Sequence, residues 1–444
     1  MDFEGLQKLM RDNGIVGCGG AGFPSYAKLN KDADTLVINC AECEPLLRLH
    51  RQLIEKRANE IMQTAEFIAK TIGAKQVIIG IKSAYKDALA ALNANIAKFP
   101  LVKIHLLKEV YPAGDELVLI YETTGRVVQP GKLPISVGVI VYNVETIYNV
   151  YRALNGKSVT HKYVTITGEV TSPKTFYAPI GSKIYGLIKR CGGSTIEDPA
   201  ILIGGPMMGF IGNDQDVVTK TTNAVILLPK NHPVILRKRT KVGIDLKRAM
   251  AACCQCNYCT DMCPRHLLGH PINPAEFMRV VSNNDHTNTK AYMNIKYCSS
   301  CGICEAYACQ QGLSPRNLIN AVKNRFKIAG VTYPEFEGVA IPDKDRELKR
   351  VPLPRLRNRI NLDKYNNPAP IYVDPINAKE VVIKLSQHIG APATAIVKVG
   401  DLVKEGDVIA SAQEASLSVN IHASIDGTIS EVTNSHIVVK AQRG

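Results

Sequence analysis

Between Thr35 and residue 155, short β-branched runs alternate with longer stretches whose apolar positions recur with helical spacing. The runs are Leu36-Val37-Ile38-Asn39, Val77-Ile78-Ile79-Gly80, Ile104-His105-Leu106-Leu107 and Val137-Gly138-Val139-Ile140-Val141. Between them, His50 to Ile72 and Tyr85 to Phe99 read as helices. Apolar strands separated by helices predict a parallel or mixed sheet covered on both faces, so residues 1–158 are expected to form an α/β domain.

The texture then changes. Tyr163 to Gly168 and Thr175 to Ala178 read as two short strands. A helix follows that Ser182 is placed to cap and that closes at Cys191-Gly192-Gly193, and further strands lie at Ala200 to Ile203 and Ala224 to Leu228. Residues 159–235 are therefore expected to form a compact β-grasp-like unit. A cysteine-rich segment occupies residues 243–330, and a proline- and charge-rich stretch, residues 331–375, reads as a linker or wrapping segment. Residues 376–444 are β-rich with glycine-marked turns at Gly400-Asp401, Gly406-Asp407 and Asp426-Gly427, a rhythm that resembles the barrel-sandwich hybrid of biotinyl and lipoyl carriers. Those carriers need a lysine at an exposed hairpin tip. Ser418-Val419-Asn420-Ile421-His422-Ala423 supplies none, which argues for docking or packing instead of covalent carriage.

At 444 residues and 45% hydrophobic content, the chain is long enough for two to four domains with buried cores. The net charge of +14 raises nucleic-acid binding as a reading, but the basic residues are dispersed and tryptophan is absent, so acidic partners or phosphate-bearing cofactors fit the charge better. Met1-Asp2-Phe3-Glu4 opens no targeting sequence, and no apolar run approaches the roughly 18 residues of a membrane span, so a cytoplasmic protein without a transmembrane segment is expected. Thirteen cysteines in a reducing compartment point to metal ligation, since disulfides do not persist there.

Eight of the thirteen carry a pattern. Cys253, Cys256, Cys259 and Cys263, followed by Pro264, spell the C-x-x-C-x-x-C-x-x-x-C-P run of bacterial iron-sulfur proteins, and Cys298, Cys301, Cys304 and Cys309 repeat it. In such pairs three thiolates of each run grip one cluster and the fourth reaches the other. Two [4Fe-4S] clusters are therefore expected, one on Cys253, Cys256, Cys259 and Cys309, the other on Cys298, Cys301, Cys304 and Cys263. Structural zinc needs two C-x-x-C pairs, and this pattern overshoots that number. The second run has one extra residue before its last cysteine, with Gln310 where a proline would follow, and Cys254 reads as a spare thiol. His266 and His270 read as second-shell or surface histidines in preference to ligands.

Gly17-Cys18-Gly19-Gly20-Ala21-Gly22 matches G-x-G-x-x-G, yet an amphipathic helix from Phe3 to Arg11 precedes it where a dinucleotide fold needs a strand. The ordinary Rossmann reading fails on that context, although a loop without Cβ atoms still admits a flat ring or a phosphate. Polar and acidic residues cluster at expected strand ends: Asn39 to Pro45, Gly114-Asp115-Glu116, and Asn143-Val144-Glu145-Thr146. That edge of an open α/β sheet is where ligands bind, so these segments are expected to share a pocket.

These residues resemble the flavin- and NADH-binding segments of the respiratory complex I flavoprotein and of the C component of the membrane-associated Rnf electron-transport complex. The resemblance implies a Rossmann-like domain with a non-covalent FMN near Gly19, Gly20, Lys28, Asn39, Asn143 and Thr146, and NADH near Phe23, Glu42, Glu44 and Glu116. Cys18 stands where complex I has arginine, and Ala41 where it has an acidic residue. The Rnf C component carries its barrel-sandwich module before the flavin domain; here it comes last. The β-grasp unit, of the SLBB type, followed by Cys253 to Pro264, Arg265 to His270 and Cys304 to Cys309, is similar to the cobalamin reductases of propanediol-utilisation microcompartments over essentially the whole chain. This resemblance implies electron flow from NADH through FMN and two [4Fe-4S] clusters to cob(III)alamin and cob(II)alamin. It also implies a corrinoid adenosyltransferase and microcompartment shell proteins as partners, and a microcompartment interior as location. The rival readings are an NADH:ferredoxin-type component of a membrane-associated Rnf-like complex and a redox relay whose flavin pocket has decayed.

Overall fold

A computed structural model describes residues 1–372, 374–414 and 416–442. Helix α1 (Phe3–Asp12) leads through the glycine loop to β1 (Thr35–Cys40), α2 (Leu49–Ile72), β2 (Gln76–Lys82), α3 (Lys86–Asn93), β3 (Val102–Leu107), the two-residue β4 (Val110–Tyr111), α4 (Glu116–Thr124), β5 (Val139–Asn143) and α5 (Val144–Leu154). The sheet runs β3-β2-β1-β5 with every pairing parallel. Leu36, Val37 and Ile38 are all fully buried, as a strand covered on both faces requires, which is why these strands read as unbroken apolar runs. The strand order reverses between β1 and β5, and the carboxyl ends there open the crevice in which such sheets bind ligands. The helix expected from Tyr85 to Phe99 stops at Asn93, and one further turn spans Ile96–Lys98. The Asn95 amide bonds the Ala91 carbonyl at 2.9 Å, a local competitor of helix propagation.

The next unit holds β6 (His161–Gly168), β7 (Lys174–Pro179), α6 (Ile184–Arg190), β8 (Ala200–Ile203), β9 (Phe210–Gly212) and β10 (Ala224–Leu228). Its mixed sheet, order β7-β6-β10-β8-β9, has a parallel β6/β10 pair at its centre and antiparallel neighbours. Ser182 does not cap α6: the cap position is Lys183, and the Ser182 hydroxyl is buried without a partner. The free N–H groups of Ile184 and Tyr185 are taken instead by the carbonyls of Asp216 and Asp214, so no side-chain cap is needed.

Within 331–372, several segments pack against the other units. Strand β11 (Val351–Pro352) pairs with β4, β12 (Ile371–Tyr372) pairs with β7, and Leu353, Leu356, Ile360, Leu362 and Tyr365 are buried. The last unit stacks two small sheets: Glu380–Lys384, His436–Ala441, Gly427–Val432 and Leu402–Val403 form one, and Thr394–Ala395, Val408–Ser411 and Ile421–His422 form the other. Its inward residues Val381, Ile383, Ile409, Ile437 and Val439 belong to one apolar core with Leu6 and Met10 of α1.

That junction is also tied by Lys220, only 1% exposed, whose Nζ donates to the carbonyls of Gly14 (2.7 Å) and Asn420 (3.0 Å). Burial lowers its pKa from 10.5 to about 7. The unfolded chain keeps this proton up to its ordinary value while the folded chain releases it from about pH 7, so in that window the unfolded state binds more protons and stability rises with pH. The expected result is that the melting temperature of the protein rises relative to that of Lys220→Met between about pH 6 and about pH 9. Parallel pH profiles for the two proteins would contradict it.

Candidate functional site

A cleft of about 440 Å³ lies at the β1/β5 switch point, within the size range of cofactor sites. The glycine loop forms one wall. Val16 bridges Pro24, and the Gly17 N–H donates to the Phe23 carbonyl at 2.9 Å, closing the loop as a tight hairpin. Thr146, at the start of α5, fastens it by accepting the Cys18 N–H (3.1 Å) and donating to the Val16 carbonyl (3.4 Å). A Cβ on Gly19 would stand 2.5 Å from the Asn143 amide nitrogen, whereas one on Gly20 would meet nothing within 4 Å. Glycine at the first position lets the loop close on β5, and glycine at the second leaves bare backbone facing the cleft, as a flat ring requires.

The opposite wall comes from the strand ends. The Asn39 amide donates to the Gly114 carbonyl (2.9 Å) while its oxygen accepts the Ala41 N–H (3.1 Å). Asn143 caps α5 by accepting the Glu145 N–H at 2.9 Å. Lys28 donates to Glu116 at 2.8 Å and to the Val141 carbonyl at 3.3 Å, setting a cation and a carboxylate side by side on the cleft lining. Glu44 reaches across to the β-grasp unit, where the N–H groups of Met207 and Met208 each bind it at 2.9 Å. Burial raises its pKa, and those two N–H groups oppose the shift.

Of the ten flavin- and nicotinamide-site candidates, Gly19, Gly20, Phe23, Lys28, Asn39, Glu44, Glu116, Asn143 and Thr146 line this cleft. Glu42 does not. Its buried carboxylate accepts the His50 N–H at the start of α2 (2.7 Å) and pairs with Arg51 (3.2 Å). Glu145, expected at the same edge, also turns away and pairs with Lys162 at 2.5 Å in a contact that is 1% and 2% exposed. Cys18 faces α5, where burial pushes its thiol up to about 12.

The eight patterned cysteines fall into two groups. Cys259 has the thiols of Cys309, Cys253 and Cys256 as charge neighbours, and all four line one cavity with Cys254, Gln310 and Gln311 at its edge. Cys301 has Cys263 and Cys298 as neighbours, and Cys304 has Cys298, Cys301 and, from the first set, Cys259. Burial, then the neighbouring thiols, pushes Cys259 up to about 12; Cys263 reaches about 12 through burial, opposed by the His266 N–H. Thiolates gathered on such loops become good ligands once a cation offsets their charge, so the chemistry of the donor sets fits iron-sulfur clusters. The loops wrap inward through left-handed residues: Gln255 and Asn257 in the first run, Ser300 and Gly302 in the second. Such turns aim backbone N–H groups at sulfur, as Ser300 N to Cys298 Sγ and Leu313 N to Cys309 Sγ show, both at 3.3 Å.

The cleft and the second quartet touch. Cys301 and Ser299 line the cleft, and the Tyr111 hydroxyl donates to the Cys301 carbonyl at 2.8 Å. Arg265, two residues after Cys263, also lines it and donates to Asp115 through Nε (3.1 Å) and Nη2 (3.0 Å). Asp115 in turn caps α4. Sequence reading did not name Tyr111 or Ser299, and it quoted Arg265 only within the segment Arg265 to His270, with no role in the cleft. The one available signal was the position of Arg265 directly after the Cys-Pro end of the first run. His266 and His270 bond the carbonyls of Ile272 and Val128, each at 3.0 Å, and are structural. Burial, then Arg265, lowers the His270 pKa to about 4.

Comparison with known proteins finds four family models along the chain. Residues 10–152 match the Nuo51 FMN-binding domain, 163–211 the SLBB domain, 252–314 a 4Fe-4S dicluster domain and 363–443 the RnfC barrel sandwich hybrid domain. The expected fold class, an α/β flavin domain joined to β-grasp, dicluster and barrel-sandwich parts, is borne out. The chain is 36% identical to the cobalamin reductase PduS of Salmonella typhimurium, over 98% of this chain and 96% of that protein. It is also 36% identical to PduS of Citrobacter freundii, over 99% and 97%. The C component of the Na(+)-translocating ferredoxin:NAD(+) oxidoreductase complex of Acetobacterium woodii is 33% identical over 62% of this chain and 61% of that protein.

Proposed function

Because this chain belongs to the family of the PduS cobalamin reductases, we propose that it carries electrons from NADH to the cobalt of cobalamin. The observation that carries this reading is the contact between cleft and cysteines: Cys301 lines the same cavity as the glycine loop. When bound, FMN accepts an electron pair from NADH and releases it singly, as the one-electron iron-sulfur clusters and cobalt require.

In this reading Gly19, Gly20, Asn39, Asn143 and Thr146 shape and hold the flavin site, with Lys28 supplying a cation beside it. Phe23, Glu44 and Glu116 flank the position of NADH. Cys253, Cys256, Cys259 and Cys309 hold one [4Fe-4S] cluster, and Cys263, Cys298, Cys301 and Cys304 the other. The domain limits 1–158, 159–235, 243–330 and 376–444, with 331–375 between the last two, belong to the same proposal. So do transfer of the reduced corrinoid to an adenosyltransferase, contact with shell proteins and residence in a microcompartment. Among the described residues no helix is long and apolar enough to cross a membrane. The Rnf-type alternative is weaker, because that similarity covers 62% of the chain where the PduS similarity covers 98%.

Anaerobic addition of NADH to the protein reconstituted with FMN, iron and sulfide is expected to bleach the flavin band and the broad cluster absorption. A spectrum unchanged by NADH would overturn the assignment of the cleft.

A further inference from the structure

The two quartets stand in series behind the cleft. Cys301, which lines the cleft, belongs to the second quartet with Cys304, and Cys304 has Cys259 of the first set as a charge neighbour. Cys301 and Cys304 are buried, whereas Cys256 is exposed on the loop that runs from Cys253 to Cys259. The buried quartet therefore faces the electron source and the exposed one faces solvent. On the electron-transfer reading above, we propose that the surface around Cys256 is the corrinoid-binding face, where cobalamin lies against the loops of the first quartet and receives its electrons.

A corrinoid is a broad, flat ring with apolar faces and an edge of carboxamides, so it calls for a surface that combines apolar side chains with amides. The two loops that bear the first quartet have that character. Charged residues make up 21% of the chain, yet none occurs from Ala249 to Thr260 or from Ala306 to Pro315. Gln255, Asn257, Gln310 and Gln311 are exposed around the mouth of the cysteine cavity, each able to donate to or accept from a carboxamide. Met250 (58% exposed) stands three residues before Cys253 on the helix Val242–Ala252, and Tyr258 (46% exposed) directly precedes Cys259. Charged side chains that touch these loops brace them: Arg248 donates to the Gly312 carbonyl at 3.3 Å, Arg279 to the Gln255 side chain at 3.2 Å, and Asp261 accepts the Asn257 amide at 2.8 Å. The loops thus hold their shape while apolar and amide groups remain open to a ligand.

Per turnover, NADH becomes NAD+ with release of a proton and two electrons. The electrons pass singly to two molecules of hydroxocobalamin, each Co(III) becoming Co(II). The released proton and one from solvent convert the two departing axial hydroxides to water.

Equilibrium dialysis of hydroxocobalamin against the oxidised, cluster-loaded protein tests this face without turnover, and steady-state reduction by NADH tests it in turnover. In Met250→Ala/Tyr258→Ala the dissociation constant and the KM for hydroxocobalamin are expected to rise about tenfold. The kcat, the flavin bleaching by NADH and both cluster signals should stay as they are. Tyr258→Phe, which keeps the ring, should remain within about twofold of the unaltered protein. In Cys256→Ser, NADH should still bleach the flavin while cobalamin reduction is lost. An unchanged dissociation constant and KM in the double variant, or cobalamin reduction at the full rate in Cys256→Ser, would overturn the proposal and leave the electron-transfer reading standing. If the unaltered protein forms no cob(II)alamin although NADH bleaches flavin and clusters, cobalamin is not the acceptor, and the reading and this face fall together.

Discussion

Serine in place of Cys301 is expected to remove about half of the bound iron and one of the two cluster signals, while NADH still bleaches the flavin. Cys301 stands in the quartet with Cys263, Cys298 and Cys304, and a hydroxyl is a poor ligand where a thiolate is needed. The backbone role of the residue survives, because the Tyr111 hydroxyl bonds its carbonyl and not its sulfur. Cys256→Ser should lose the other half of the iron and leave the signal of the buried quartet intact. Iron analysis with electron paramagnetic resonance of both variants checks the crosswise division. Loss of all iron in each would contradict two separable clusters, and loss of none would remove these cysteines from the ligand sets.

The second large effect lies in the wall behind the cleft. Lys162→Met leaves the Glu145 carboxylate buried without its partner, which costs about 3–5 kcal/mol of stability, whereas Lys162→Met/Glu145→Gln should recover most of that loss. The pair joins α5 to β6, and α5 begins with the residues that close the glycine loop, Asn143 before it and Thr146 within it. The single variant is therefore also expected to retain less FMN than the double variant. Urea unfolding of the three proteins, with flavin content measured after gel filtration, tests both statements. Equal stability of the single and double variants would show that the carboxylate finds another partner.

How much of this was legible in the sequence follows from where each signal resides. The parallel sheet announced itself because strands buried on both faces cannot alternate polar and apolar residues, and Leu36 to Ile38 are fully buried. The 4Fe-4S dicluster domain was legible because cluster ligation demands cysteines at fixed spacing within a single loop. Glu42 and Glu145 show the limit. Both lie at a strand's carboxyl edge, as expected, but pairing with Arg51 and Lys162 turns them from the cleft, and a partner 9 or 17 residues away leaves no mark in local pattern. Ser182 failed for a related reason: the carbonyls that replace its cap come from Asp214 and Asp216, beyond the helix it precedes. The roles of Arg265 and Tyr111 were missed because they arise only when the cysteine segment folds against α4 and β4.

The central claim, that this chain delivers electrons from NADH to cobalamin, is tested most directly by following hydroxocobalamin anaerobically with the reconstituted protein and NADH. The expected result is formation of cob(II)alamin at a rate set by the protein concentration, together with NADH oxidation, and loss of both in Cys301→Ser. Flavin and cluster bleaching without any change in the corrinoid spectrum would contradict it and move the acceptor to a protein partner.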